Sequence, residues 1–279
     1  MVEAGDPNLM LLGLRFLALV FFGGAVTLDL YFLFKFANAE QGRCLPFINS
    51  LKARGFGLAV AALALATTLG FTVPVALMGS GSSQLPEEAG RLISGSLVYA
   101  AAVALVVLYA GMASRSTLTR LFSCPDSSFR VSLLKGAIYG IAVIPPIILI
   151  TAVVGTVIKE LGVEVESQSV VEWLTNPETT VITRIAIVFC AVVVAPVIEE
   201  VIFRGILFPS VFKGRGFLFS ALLVGCVFSL IHFHAPSFLS ILVLNIFFCA
   251  GYASTGSLVT PIVMHMIFNG SAACFALLV

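Results

Sequence analysis

Val193-Val194-Ala195-Pro196-Val197-Ile198-Glu199-Glu200-Val201-Ile202-Phe203-Arg204 sets two adjacent carboxylates and a guanidinium inside an apolar run. Ionisable groups in hydrocarbon are costly, so they face a bundle interior or a wet cavity. On a helix, Glu200 and Arg204 stand one turn apart with the acid first, the favourable order for a pair. Glu199 lies about 100° round the helix from Glu200, which leaves it outside that pairing. Pro196 has no backbone N–H to give, which loosens the turn before the acids. The plain alternative is a structural ion pair beside one further acid.

Around this stretch the composition is that of a membrane protein. The chain has 279 residues, 59% hydrophobic and 10% charged, with a mean hydropathy of +1.11. Soluble domains run near ~25% charged. A formal net charge of +1 argues against nucleic acid as a partner. The six cysteines include no CxxC pair, which excludes a zinc ribbon, and they suggest no disulfide framework. Met1 to Asn8 carries Glu3 and Asp6 but no basic residue, so the first apolar run is expected to be a retained span rather than a signal peptide.

A span needs roughly 20 apolar residues. That rule predicts an all-α, polytopic membrane protein of about eight transmembrane helices, near 11–36, 56–79, 92–112, 132–157, 179–212, 216–234, 237–255 and 257–279. The chain is expected to be one transmembrane domain, with spans and loops over 1–178 and a catalytic core over 179–279. The fifth run is too long for a single crossing and is expected to kink at Pro196 or to project beyond the bilayer. Pro145-Pro146 is expected to break the fourth. The first, third and fifth connections are basic (Lys52, Arg120 and Lys213 among them), and the second and fourth are acidic (Glu88, Glu164). The basic loops are therefore expected in the cytoplasm and both termini outside. Around Trp173 in the fourth connection an interfacial anchoring helix is expected, with substrate gating as the lesser role.

Further polar residues appear late in the chain. Phe228-Ser229-Leu230-Ile231-His232 closes the sixth run, and His265-Met266-Ile267-Phe268-Asn269 lies in the eighth. Glu199 and His232 are equidistant from the turn Lys213-Gly214-Arg215-Gly216, each roughly 24 Å along its helix, and so can face each other across a hairpin. His265 is about nine residues, or ~13 Å, from the Thr255-Gly256 turn, so its convergence with the other two requires turns at different heights. One carboxylate, two imidazoles and an amide in an intramembrane polar cavity suit activation of water and stabilisation of an oxyanion. Glu199, His232 and His265 are equally three typical zinc ligands with a fourth position left for water. The cofactor expectation therefore stands between none and zinc.

The set Glu-Glu-x-x-x-Arg, Phe-x-x-x-His and His-x-x-x-Asn resembles the CAAX prenyl endopeptidase family, also called the CPBP or Abi family of intramembrane proteases, over about residues 179–279. The resemblance implies that Glu199 and His232 activate water and that His265 and Asn269 stabilise the tetrahedral oxyanion. Glu200, Arg204 and Phe228 shape the site by the same resemblance. It further implies a hydrolase of the kind classed as a metalloprotease, one that cuts a polypeptide near the membrane surface. Members of the eukaryotic branch remove the last three residues of prenylated CaaX proteins at the cytosolic face. Substrate is expected to enter on the side of the basic fifth loop or laterally between helices. The contrasting reading is a non-enzymatic membrane protein, a transporter, scaffold or bacteriocin-immunity factor, that binds an ion or a partner helix through the same cluster.

Overall fold

The computed structural model describes residues 128–163, 168–212 and 215–278. The first three expected spans, and the loop residues Lys52, Glu88, Arg120, Glu164 and Lys213, lie outside the described residues. Within them the chain is entirely helical. Four helices are long and apolar enough to cross a membrane, Phe129–Glu160, Val181–Phe212, Ala235–Thr255 and Val259–Leu278.

The first of these is α1 (Phe129–Ala142) followed directly by α2 (Ile144–Glu160). The break falls at Val143, just before Pro145-Pro146, as the proline pair predicts. Ser128 caps α1 by accepting from Val131 N–H. A short helix, α3 (Ser169–Thr175), precedes α4, the 32-residue run Val181–Phe212. Thr180 caps α4 by accepting from Thr183 N–H.

Pro196 does not interrupt α4. The strain is taken up instead by two π-helical stretches, Cys190–Val194 and Val201–Leu207, on either side of the turn that carries the acids. Ala195 N–H reaches back five residues to the Cys190 carbonyl, the i→i+5 register of a π-helix.

The expected sixth span is corrected. Its helix, α5, covers only Phe217–Leu230, 14 residues. The chain then turns at Phe233, whose φ of 49° is costly for a bulky residue. A short 3₁₀ turn, Ala235–Ser237, leads into α6 (Phe238–Thr255). The apolar run alone suggested a longer helix, but Pro236 disfavours helical backbone at the residue before it. Gly256, at φ 63°, ends α6 in the left-handed conformation and passes the chain to α7 (Val259–Leu278).

α7 is the central helix, and its closest neighbour is α1. A Cβ at Gly136 would lie 2.8 Å from both the Thr260 carbonyl oxygen and Val263 Cβ, and one at Gly140 would lie 3.0 Å from Met264 Cα. Ser132, Gly136 and Gly140 therefore form a one-per-turn small-residue seam, the means by which membrane helices approach closely. Thr260 Oγ1 donates to the Ser132 carbonyl at 3.1 Å across it. Meanwhile Ile148, Val153, Ile182, Phe219 and Phe275 are exposed, while Glu200, Arg204 and Asn245 are fully buried. That inversion of the water-soluble pattern fits helices whose surroundings are lipid.

Candidate active site

A cavity of about 290 Å³ lies between α4, α5, α6 and α7, with α3 across it. Glu199 from α4, Phe228 and His232 from α5 and the turn after it, and His265 and Asn269 from α7 all line this space. The residues singled out in the sequence thus meet around one cavity, with the buried pair Glu200 and Arg204 behind it.

Glu199 Oε2 lies 3.7 Å from His265 Nε2. The height mismatch expected for His265 is therefore corrected. Counting residues from turns assumes straight, uniform helices, whereas residues 201–207 wind as a π-helix, which climbs less per residue. His232 lies beyond the end of its helix and is exposed. Its Nδ1 is 2.6 Å from the Phe228 carbonyl oxygen. That oxygen only accepts, so Nδ1 carries the hydrogen and Nε2 keeps its lone pair. The ring also packs edge-on against Phe228, with centroids 4.8 Å apart.

Behind the cavity, Glu200 Oε1 accepts from Arg204 Nη1 and from His265 Nδ1, each at 2.9 Å. The Arg204 guanidinium is held between the rings of Phe228 and Phe248, 4.8 Å and 5.0 Å from their centroids. Its Nη2 donates to Asn245 Oδ1 at 2.7 Å, and Asn245 Nδ2 donates to the Ala221 carbonyl at 2.9 Å. Asn245 therefore anchors the chain of contacts Asn245–Arg204–Glu200–His265 to α5. Sequence reasoning missed it. The available signal was a lone carboxamide in the apolar run of α6, where such a group needs a partner.

Asn269 Nδ2 donates to the Ala191 carbonyl at 2.8 Å. In the π register that carbonyl faces the nitrogen five residues on, which is Pro196 and has no hydrogen. The amide of α7 thus satisfies the oxygen that the proline leaves free. Its second N–H remains available to the cavity.

The zinc reading fits these residues poorly. Among the described residues, no three His, Cys, Asp or Glu side chains gather as a ligand set. His265 Nδ1 is committed to Glu200, and its Nε2 faces a carboxylate at 3.7 Å.

Two further expectations are corrected. Trp173 does not sit at a wet interface; it is buried with Leu174 against Ile187, Val188 and Ala273, because α3 folds back onto α4 and α7. The cavity also lies away from the basic fifth loop. Gln168, Val170, Val171 and Leu174, from the fourth connection, line it, whereas no described residue of the fifth connection does.

Comparison with known proteins adds a family. Residues 181–271 match the family model described as type II CAAX prenyl endopeptidase Rce1-like. Over 77 residues the chain is 30% identical to "Putative membrane peptidase YdiL" of Bacillus subtilis (strain 168), a stretch covering 28% of this chain and 32% of that protein. No solved structure matches the chain. The match over residues 181–271 contains all three motifs that line or support the cavity, and in this segment the chain is similar to the Rce1-like CAAX prenyl endopeptidases.

Proposed function

We propose that the protein is an intramembrane endopeptidase in which Glu199 and His232 activate a water molecule against a peptide carbonyl. The observation that carries this reading is the meeting of Glu199, His232, His265 and Asn269, from three separate elements, around one cavity. Water loses a proton to the Glu199–His232 pair as its oxygen bonds to the carbonyl carbon. That proton then passes to the departing amine as the C–N bond breaks. The developing oxyanion is received by the second amide hydrogen of Asn269 and by His265 Nε2. For His265 this role needs a hydrogen on both ring nitrogens, and the Glu200 carboxylate at Nδ1 supplies the counter-charge. Every group required is a side chain of this protein, so the reaction is written without a metal.

The substrate is a polypeptide cut near the membrane surface, and CaaX-type C-terminal processing is the specific form that the family description suggests. The experiment uses purified protein in detergent or nanodiscs with paired reporter peptides, one farnesylated and one not. Cleavage of the farnesylated reporter alone supports CaaX-type processing, and equal cleavage of both removes the lipid requirement. Glu199→Gln should lower the rate by about 10²–10⁴-fold with the helical content unchanged. A Glu199→Gln variant that cleaves as fast as the unaltered protein would rule out the catalytic role.

A further inference from the structure

The position of the cavity along the helices bears on which side of the membrane the substrate comes from. α4 ends, and α5 begins, at the connection that holds Lys213 and Arg215. Since α5, α6 and α7 follow one another through short connections, α6 ends and α7 begins at that same end of the bundle. The cavity is at the opposite end. It touches α5 only at Phe228 and at His232 beyond its terminus, α6 only at Ile241 and Leu244 near its start, and α7 only from His265 onward. Its exposed lining residues, Gln168, Val171, His232 and Ala272, lie at this far end, whereas Cys190 and Leu244 deeper in are buried.

The two ends differ in charge. Arg115, Arg120 and Arg130 precede α1 or lie in its first turn, and Lys213 and Arg215 join α4 to α5, so one face of the bundle collects these five bases. The other end carries Lys159 and Arg184 among Glu160, Glu164, Glu166, Glu172 and Glu178. Orientation in a membrane follows the Lys and Arg of short loops, which remain on the cytoplasmic side.

We propose that the cavity opens on the face opposite the cytoplasm, so that its substrate is a polypeptide segment presented from the extracytoplasmic side or from the outer leaflet. The substrate half of this statement rests on the peptidase reading, and the orientation half does not. It sets the protein apart from the cytosolic-face processing attributed above to the eukaryotic branch of the family. It also gives the mouth a chemistry: its rim is the uncharged Gln168, Val171 and Ala272 with the imidazole of His232, beneath an acidic connection.

The test is labelling by a membrane-impermeant maleimide in intact cells of a bacterial host, on full-length protein whose native cysteines have been replaced. Gln168→Cys and Ala272→Cys report the mouth, and Arg215→Cys reports the basic turn. All three positions are exposed, so the substitutions are tolerated by the fold. The expected result is labelling of Gln168→Cys and Ala272→Cys in intact cells, with Arg215→Cys labelled only after permeabilisation. Labelling of Arg215→Cys in intact cells, or of the mouth positions only after permeabilisation, overturns the proposal. Peptide cleavage is then measured in sealed right-side-out vesicles. Cleavage of externally added reporter supports the substrate half, and cleavage only after the vesicles are opened overturns it. Correct labelling with no hydrolysis by the unaltered protein under any condition retires the peptidase reading while leaving the orientation standing.

Discussion

Neutralising either of the adjacent acids should produce opposite kinds of damage, and the contacts set the size of the difference. Glu200 and Arg204 have side chains with no exposure, and their ion pair measures 2.9 Å. In Glu200→Gln the guanidinium stays in the protein interior without its counter-charge, and removing one member of a buried pair costs ~3–5 kcal/mol. Arg204 keeps Asn245 Oδ1 at 2.7 Å and its two aromatic neighbours, so the loss should fall at the lower end, about 3 kcal/mol. Glu199 is different. Its side chain is 19% exposed and its charged contact is the 3.7 Å approach to His265, which places Glu199→Gln at about 1 kcal/mol or less. A gap of about 2 kcal/mol is roughly a thirtyfold difference in unfolding equilibrium. Titration with SDS in mixed micelles, followed by far-ultraviolet circular dichroism, measures both variants. Adding Arg204→Met to Glu200→Gln should recover much of the loss, because the uncompensated charge goes with it. Equal unfolding shifts for the two single variants, or no recovery in the double variant, would refute the assignment of Glu200 to structure and Glu199 to the cavity.

Asn269→Ala should lower peptide cleavage by roughly 10²–10³-fold through loss of an oxyanion donor. It should also destabilise the fold by about 1 kcal/mol as the Ala191 carbonyl loses its donor; kinetics and unfolding of one sample measure both. Gly136→Leu forces a side chain into the α1–α7 seam, where even a Cβ meets atoms at 2.8 Å, and should cost ~1–3 kcal/mol or more in the same SDS titration. Metal chelators should leave the hydrolytic rate unchanged and added zinc should not raise it. Stoichiometric zinc in protein purified without added metal, lost in His265→Gln, would contradict this.

Much of the site was legible because hydrocarbon makes polar residues conspicuous. Glu199, Glu200, Arg204, His232, His265 and Asn269 each stand out against apolar neighbours, and their one-turn spacings fix which of them share a helix face. The partners were less legible. Nothing in Glu199-Glu200 shows that Glu200 would reach His265, 65 residues on, as well as Arg204, since the i,i+4 pattern accounts for only one of the two. The π stretches escaped because hydrophobic patterning does not distinguish an i→i+5 turn from an α turn, yet they alter the height of Glu199. Asn245 escaped because a single carboxamide carries no periodicity. α5 was overestimated because apolar composition continues through Ile231 and Phe233, where the backbone has already reversed.

The one tryptophan of the chain, buried in the short helix that lies across the cavity, makes the protein its own optical instrument. Indole emission depends on the polarity and mobility around the ring, and here all of it comes from a single place. Val170, Val171 and Leu174, on the same helical turns as Trp173, touch the cavity directly. A peptide that lifts or tightens this roof should shift the emission maximum or lifetime without any attached dye. Entry and release could then be timed separately from bond cleavage, in protein whose chemistry has been silenced at Glu199.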